Sequence, residues 1–281
     1  MSKEPAMLAL FGDPVSHSLS PVMHNAWLRD AGIGGSYVAV RVPASDAANV
    51  FSGLREMKLT GANVTVPHKE LAARSADKLD EAGRALGAVN TLRWEEDGTV
   101  SAINTDAPGL IAALDGANLG WRSQTGSALV VGAGGAGRAA AWALANAGVA
   151  RVLLVNRTAQ RAQEAAAIIP RCWPFPWATL GAQCAAADLV VNTTTLGMEH
   201  APAFDWPIER APNHAIVMDA VYAPLETPLL QAARARGMKT IDGLGMLIHQ
   251  GALAFEHWFG IRPDTSRARA RLLEAIAERT P

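Results

Sequence analysis

The chain has 281 residues, about 1.9 typical domain lengths, and hydrophobic residues make up 49% of it, which permits a sizeable core and excludes general disorder. Its 25 Lys and Arg residues against 26 Asp and Glu give a net charge of -1, without the basic excess that binding to a nucleic-acid backbone requires. Cys172 and Cys184 lack the spacing of a zinc site, a CxxC motif or a disulfide framework, so a reducing, cytoplasmic setting is predicted. No apolar stretch is long enough to cross a bilayer, and no membrane partner is expected.

Short β-rich runs alternate with helical patterns, which predicts an α/β fold with βαβ units and a mainly parallel sheet. The predicted strands are Met7–Phe11, Tyr37–Val42, Ala62–Val66, Ala88–Trp94, Ala128–Val131, Val152–Val155, Leu189–Val191 and Ile216–Val221. Ser20 is a candidate N-cap of a helix that has Pro21 at its first position and stops at Gly32. Asp97-Gly98 predicts a hairpin turn, which would give the first part of the chain an antiparallel edge.

Polar residues cluster where the third strand ends. Strand alternation places Asn63 and Thr65 on one face of this strand. The opposite face would hold Ala62, Val64 and Val66. Lys69 follows just beyond the carboxyl end, where open α/β sheets bind their ligands. The pattern favours a ligand site, although a one-sided edge strand followed by a solvated lysine would produce it too.

Similar polar groups end two further β-like runs, Asn90-Thr91 and Asn104-Thr105-Asp106, although Asp106 is also a candidate cap for the helix that follows. The histidines form neither an HExxH motif nor a cluster with carboxylates, so no metal is expected. No GxSxG motif supports a serine hydrolase.

A glycine-rich turn follows the strand Ala128–Val131. Gly132, Gly134 and Gly137 form a GxGxxG motif between this strand and an alanine-rich helix. In that context the first glycine permits a tight turn, the second lets the backbone approach a pyrophosphate, and the third allows close helix–sheet contact. The motif predicts a dinucleotide site.

The end of the next strand indicates which dinucleotide is bound. An NAD site usually carries Asp or Glu about 20 residues after the glycines, whereas this chain has Asn156-Arg157-Thr158. A guanidinium can clamp a 2′-phosphate through two parallel hydrogen bonds, and Arg161 adds a second positive charge. These residues favour NADP (NADPH) over NAD.

Several motifs in order resemble those of the shikimate dehydrogenase family. They are Phe11–Pro21, Gly61–Lys69, Gly87–Thr91, Asn104–Asp106, Gly132–Gly137, Asn156–Thr158 and Asp242–Gln250. The resemblance implies two domains with an active-site cleft between them. One is an N-terminal α/β substrate domain (1–106 and 242–281) with a mainly parallel sheet, and the other is a Rossmann-type doubly wound NADP-binding domain (107–241). It also implies reversible reduction of 3-dehydroshikimate to shikimate in aromatic amino-acid (chorismate) biosynthesis.

The resemblance assigns roles to particular residues. Lys69 looks like the acid–base residue, with Asp106 as its partner. Ser18 and Ser20 are implied to hold the substrate carboxylate, with Tyr222 near it. The implied contacts to the ring hydroxyls are Asn63, Thr65, Asn90, Asp106 and Gln250. The implied cofactor site comprises Gly132, Ala133, Gly134, Gly135, Ala136, Asn156, Arg157, Thr158, Arg161, Thr193, Ala220 and Gly243.

The chain departs from the family pattern at Ala107, where glycine is common, and at Ala220, where a bulkier residue often lies beside the nicotinamide. Three alternatives stay open: a paralogue acting on quinate or an amino-shikimate with a different cofactor preference, a non-catalytic NADP-binding regulator, and a nucleotide-dependent methyltransferase. A small-molecule substrate and a monomer or homodimer are expected.

Overall fold

The computed structural model describes residues 4–199 and 201–278 and separates into two compact units. Unit 1 comprises Met1–Thr105 and Leu247–Pro281, and unit 2 comprises Asp106–Met246. Unit 1 is therefore discontinuous in sequence. The predicted domain boundaries and the predicted cleft stay predictions.

The described residues form strands and helices that alternate through most of the chain. The strands are β1 Ala6–Gly12, β2 Gly35–Arg41, β3 Gly61–Val64, β4 Lys78–Leu79, β5 Thr91–Trp94, β6 Val100–Ile103, β7 Ser127–Val131, β8 Arg151–Asn156, β9 Cys172–Pro176, β10 Leu189–Asn192, β11 Ile216–Asp219 and β12 Lys239–Ile241. The α-helices are α1 Ser20–Asp30, α2 Ala44–Ser52, α3 Lys69–Ser75, α4 Glu81–Leu86, α5 Asp106–Gly116, α6 Trp121–Gln124, α7 Gly135–Asn146, α8 Ala159–Ile168, α9 Leu180–Ala185, α10 Pro228–Ala235, α11 Gly243–Phe259 and α12 Ala268–Ala277.

Unit 1 contains a mixed six-stranded sheet in the order β2-β1-β3-β5-β6-β4. Strands β1, β2 and β3 are parallel, as are β4 and β6, while β5 runs antiparallel to both β3 and β6. The antiparallel pairing of β5 with β6 confirms the hairpin expected around Asp97-Gly98. The core of this unit includes Phe11, Phe51 and Leu92.

Unit 2 contains an all-parallel six-stranded sheet in the order β12-β11-β10-β7-β8-β9. Numbered within this sheet, the order is 6-5-4-1-2-3, which is the doubly wound arrangement of dinucleotide-binding folds. The apolar runs of β7, β8 and β10 are fully buried, as expected for central strands covered on both faces. The α/β fold with a Rossmann-type unit is thus confirmed.

Some details of the prediction are wrong. Ser20 is not the N-cap of α1: the helix starts at Ser20, Leu19 occupies the cap position, and no side chain caps the helix. Val66 does not join the buried face of β3, because the strand ends at Val64 before Pro67 and the Val66 side chain is 53% exposed. The predicted strand Ala88–Trp94 begins only at Thr91, and the predicted strand Ile216–Val221 ends at Asp219.

The described helices are all too short or too polar to cross a membrane.

Candidate active site

The polar groups predicted in unit 1 collect along one edge of its sheet, here called the polar edge. Because β1, β3 and β6 point the same way, their carboxyl ends share this edge with the amino end of the antiparallel β5. These strand ends and the segments next to them contain Ser18, Ser20, Asn63, Thr65, Lys69, Asn90, Thr91, Asn104 and Thr105. Apart from Gln250, which lies on α11, the predicted ring-binding and acid–base residues of unit 1 therefore belong to adjacent strand ends.

Asn90 is the centre of a hydrogen-bond network at this edge. Its side chain is 2% exposed, and its Nδ2 donates to Thr105 Oγ1 at 2.8 Å and to Gln250 Oε1 at 3.1 Å. Its Oδ1 accepts from the backbone N–H of Thr105 at 2.7 Å. Gln250 lies on α11, so the network ties this helix to the sheet. Two predicted substrate residues, Asn90 and Gln250, are in direct contact.

Asn63 has a fixed amide orientation. Its Nδ2 lies 3.0 Å from the carbonyl oxygen of Asn90, which can only accept, and 3.1 Å from Thr91 Oγ1. Its Oδ1 accepts from the Tyr37 hydroxyl at 2.8 Å. Both amide protons are used within the protein, so the capacity left for a ligand is a lone pair on Oδ1. A hydroxyl bound by Asn63 in this arrangement must donate to it.

Tyr37 is a site residue that the sequence analysis missed. It is 1% exposed on the otherwise exposed edge strand β2, and its ring stacks on His24 with centroids 4.5 Å apart. A single buried tyrosine in an exposed strand is visible only once the burial pattern is known. Its hydroxyl, which donates to Asn63 Oδ1, connects the stacked His24–Tyr37 rings to the polar edge.

Ser18 and Ser20 lie at the start of α1. The backbone N–H of Ser20 donates to Ser18 Oγ at 3.2 Å, and Ser20 is 6% exposed. The N-cap residue Leu19 makes no side-chain cap hydrogen bond, so Ser18 Oγ, at the N–H of Ser20, is the polar side-chain atom bonded at the start of α1. Two hydroxyls beside such a helix start suit a carboxylate.

Lys69 and Asp106 each open a helix. Lys69 is partly buried at the first position of α3, and its carbonyl oxygen accepts from Val89 N at 3.1 Å. Asp106 begins α5 three residues after β6 ends and is 4% exposed. Thr65, one residue beyond β3, is partly buried and donates its N–H to Phe11 O at 2.8 Å.

Asp80 is a second residue that the sequence analysis missed. Its Oδ1 accepts from the N–H of Gly83, capping α4 at 2.7 Å, and from the N–H of Asn104 at 3.2 Å. Burial raises the pKa of this carboxyl. Asp80 thereby fixes the backbone two residues before Asp106.

The glycine loop of unit 2 has the geometry that a dinucleotide needs. Gly132 has φ +108°, in the region that favours glycine, and a β-carbon at Gly137 would overlap the carbonyl oxygen of Gly132. A β-carbon at Gly134, by contrast, would have no described protein atom within 4 Å. The protein itself does not require a glycine at Gly134, so the open space fits the close approach of a phosphate.

At the end of β8, the Asn156 side chain is hydrogen-bonded within the protein, whereas the two arginines that follow, Arg157 and Arg161, are exposed. Asn156 holds the glycine loop, since its Oδ1 accepts from Ala133 N at 3.0 Å while its Nδ2 donates to Thr158 O at 2.9 Å. Arg157 and Arg161 are exposed, and neither has an ion-pair partner within the described ranges 4–199 and 201–278. The residues present therefore fit a dinucleotide with a 2′-phosphate. Gly135 and Ala136 supply the first turn of α7.

The remaining predicted cofactor residues follow β10 and β11. Thr193 Oγ1 donates to Val131 O at 2.8 Å, behind the glycine loop. Ala220 N donates to Asn192 O at 2.9 Å, and a β-carbon at Gly243 would overlap the carbonyl oxygen of Ala220. The glycine loop, Thr193 and Ala220 thus meet at the carboxyl ends of three adjacent strands. Tyr222 is partly buried in the same loop as Ala220.

Nowhere in residues 4–199 and 201–278 do three or more His, Cys, Asp or Glu side chains group so as to hold a metal ion.

Three family models match the chain. The shikimate dehydrogenase substrate binding domain matches residues 10–92, the shikimate/quinate 5-dehydrogenase domain residues 117–199, and the shikimate 5′-dehydrogenase C-terminal domain residues 243–273.

Relatives of known name align over almost the whole chain. Shikimate dehydrogenase (NADP(+)) of Azorhizobium caulinodans is 45% identical over 269 residues, covering 95% of each chain. The enzyme of the same name from Brucella abortus is 47% identical over 272 residues, covering 95% of this chain and 93% of the relative.

Solved structures of related dehydrogenases also match almost the whole chain. Shikimate 5-dehydrogenase of Thermus thermophilus, in complex with NADP(H) and shikimate, is 39% identical with a TM-score of 0.84, covering 96% of this chain and 99% of that one. Quinate dehydrogenase of Corynebacterium glutamicum, in complex with NAD, is 31% identical with a TM-score of 0.86 at the same coverage. The chain belongs to the shikimate dehydrogenase family.

Proposed function

We propose that this chain is an NADP-dependent oxidoreductase that reversibly reduces 3-dehydroshikimate to shikimate, a step of aromatic amino-acid biosynthesis. The observation that carries the proposal is its similarity over 95% of its length to relatives named shikimate dehydrogenase (NADP(+)). The polar edge of unit 1 and the glycine loop of unit 2 supply the two kinds of binding group that the reaction needs.

The substrate contacts that we propose follow from the chemistry at the polar edge. Ser18 and Ser20, beside the start of α1, hold the carboxylate, with Tyr222 near it. Thr65, Asn90 and Gln250 hold ring hydroxyls, and Asn63 accepts a hydrogen bond from one of them. Support comes from the network in which Asn90 Nδ2 binds Gln250 Oε1 at 3.1 Å.

For the chemical step we propose Lys69 as the acid–base residue and Asp106 as its partner. NADPH, when bound, supplies the hydride. Reduction of the carbonyl leaves negative charge on its oxygen, and the Lys69 ammonium donates the proton that neutralises it. In the reverse direction the neutral amine accepts the hydroxyl proton. Asp106 keeps the ammonium oriented, and its placement is supported by the Asp80–Asn104 bond just before it.

For the cofactor we propose NADP over NAD, held by the glycine loop and by Arg157 and Arg161 at the 2′-phosphate. The glycine-loop residues Gly132, Ala133, Gly134, Gly135 and Ala136 face the pyrophosphate, and Asn156, Thr158, Thr193, Ala220 and Gly243 complete the site. Support comes from the two exposed arginines and from the lack of an acidic residue at the end of β8. A carboxylate there would repel the phosphate.

An alternative is a paralogue that acts on quinate with NAD, because the quinate dehydrogenase structure matches this backbone with a TM-score of 0.86. Initial rates separate the two. NADPH oxidation with 3-dehydroshikimate is measured beside NADP and NAD reduction by shikimate and by quinate. The proposal predicts the highest kcat/KM for shikimate with NADP. Faster turnover of quinate with NAD would establish the alternative, and binding without turnover would indicate a non-catalytic regulator.

We also propose that the enzyme acts in the cytoplasm as a monomer or homodimer. Cys172 and Cys184 are unpaired thiols, as is usual in a reducing compartment. Sedimentation velocity of the purified protein distinguishes the two assembly states.

A further inference from the structure

Unit 2 contains a buried carboxylate to which the sequence analysis gave no role. Asp219 is the last residue of β11 and is 0% exposed. Its Oδ1 accepts from Asn192 Nδ2 at 2.9 Å and from Val221 N at 3.0 Å, and its Oδ2 accepts from Thr227 Oγ1 at 2.7 Å. Burial raises the pKa of this carboxyl to about 6. Burial therefore disfavours the ionised side chain, and the hydrogen bonds from Val221, Thr227 and Asn192 oppose this effect.

The three donors belong to three different segments. Asn192 ends β10 and lies directly opposite Asp219 in the sheet. Val221 lies in the loop after β11, and Thr227 caps α10, with its hydroxyl accepting from Leu230 N at 3.3 Å. One carboxylate thus ties both ends of the segment 220–227 to the end of the neighbouring strand.

The same network reaches the loop after β10. Asn192 Oδ1 accepts from the N–H of Thr194 at 2.9 Å and from its hydroxyl at 2.7 Å, and Asn192 O accepts from Ala220 N at 2.9 Å. Gly243 packs closely against the carbonyl group of Ala220, since a β-carbon there would overlap the Ala220 carbonyl oxygen. The Ala220 backbone is thus bonded at its N–H and closely packed at its carbonyl group.

We propose that Asp219 is a positioning residue of the dehydrogenase: its carboxylate holds Ala220–Tyr222 in the conformation that receives the nicotinamide half of the cofactor. The inference rests on the proposed function, because the role of Ala220 comes from it. Asp219 acts through the loop and touches neither substrate nor cofactor. The adenosine half, bound at Arg157 and Arg161 beyond β8, does not depend on it.

Because only the nicotinamide half is expected to depend on Asp219, the experiment compares the whole cofactor with its adenosine half. Dissociation constants are measured by calorimetry for NADPH and for adenosine 2′,5′-bisphosphate, which carries only the adenosine half. In Asp219→Ala, three donors lose their acceptor, and we expect NADPH to bind on the order of ten-fold more weakly while the bisphosphate stays within about two-fold. Asp219→Asn recovers most of the loss, since its oxygen still accepts from Asn192 and Val221 and its amide group donates to the Thr227 hydroxyl.

A milder pair of variants keeps the test decisive if Asp219→Ala does not fold. Thr227→Val removes one of the three donors in an isosteric side chain, and Thr227→Ser retains the hydroxyl as the matched control. We expect only the valine variant to weaken NADPH binding, by about three-fold or more, with bisphosphate binding unchanged. Equal weakening of both ligands, or NADPH binding unaffected in folded variants, would overturn the proposal. Because binding is measured without turnover, failure of the dehydrogenase assay in the unaltered protein is a separate result.

Discussion

The polar edge of unit 1 and the glycine loop of unit 2 use their polar groups in opposite ways. At the polar edge, Asn63 and Asn90 are 5% and 2% exposed, and their side-chain amides form most of their hydrogen bonds with other protein atoms. At the glycine loop, the space beside Gly134 is open, and Arg157 and Arg161 are exposed without an ion-pair partner in the described part of the chain. The difference teaches that a small polyhydroxylated ring requires donors and acceptors whose orientation the protein has already fixed. A phosphate instead requires positive charge and accessible backbone N–H groups.

Removing the amine at the polar edge has the largest expected effect. In Lys69→Ala, kcat falls by about 10²–10⁴-fold because the proton donor is lost, while shikimate binding stays within a few-fold. Steady-state kinetics and calorimetry measure the two quantities. Lys78→Ala is the matched control, since Lys78 is an exposed lysine of the same unit that pairs with Asp97 at 3.3 Å. Near-native turnover of Lys69→Ala would remove this residue from the mechanism.

Removing a positive charge beyond β8 tests whether the exposed arginines bind the 2′-phosphate of the cofactor. Arg157→Ala loses a charge-assisted contact of about 1.5–3 kcal/mol, so NADPH affinity drops ten-fold to more than a hundred-fold, and NADH affinity changes little. Arg151→Ala provides the control, because this exposed arginine lies at the opposite end of the same strand. Equal weakening of both cofactors in Arg157→Ala would show that Arg157 does not read the 2′-phosphate.

The aromatic support of the polar edge gives a pH-dependent stability. His24 is fully buried among Trp27, Tyr37, Phe255 and Trp258, and burial lowers its pKa from 6.5 to about 3. Because the unfolded state binds the proton more readily, stability is full above pH 6.5 and falls as the pH decreases toward 3. Between pH 7 and 5 the native chain should lose about 2 kcal/mol relative to His24→Phe. Urea unfolding at several pH values measures this, and parallel curves for the two proteins would contradict it.

The smallest expected effect tests whether Tyr37 fixes the orientation of the Asn63 amide. Tyr37→Phe removes the hydroxyl that donates to Asn63 Oδ1, at a cost of about 1 kcal/mol, and should raise the KM for shikimate about five-fold without changing that for NADP. In an Asn63→Ala background the same substitution should have no further effect on the KM. Additive effects of the two substitutions would show that Tyr37 does not act through Asn63.

The sequence predicted strands most reliably where every apolar residue of the strand is buried. Strands β7, β8 and β10 were predicted because central parallel strands are unbroken apolar runs. Strands β4, β9 and β12 were missed. The first has only two residues, β9 contains two prolines, and all three lie at sheet edges, where pairing with a neighbour defines the strand. The N-cap at Ser20 was wrong because composition cannot show that Leu19 takes the cap position.

The positions of the candidate site residues could be predicted from the sequence, but the hydrogen bonds between them could not. The glycine motif and Asn156-Arg157-Thr158 are local in sequence, so their spacing alone indicates phosphate binding. The partners of Asn63 lie 26 to 28 residues away, and Gln250 lies 160 residues from Asn90. Such pairings depend on the strand register and the return of α11 to unit 1. Tyr37, Asp80 and Asp219 were missed for the same reason.

The most direct test of the dehydrogenase assignment follows the hydride itself. The purified chain is incubated with 3-dehydroshikimate and NADPH carrying deuterium at both C4 positions, and the product is analysed by mass spectrometry. We predict shikimate that contains one deuterium, with NADPH consumed in equal amount. Formation of unlabelled shikimate, or no product from 3-dehydroshikimate, would contradict the proposed reaction.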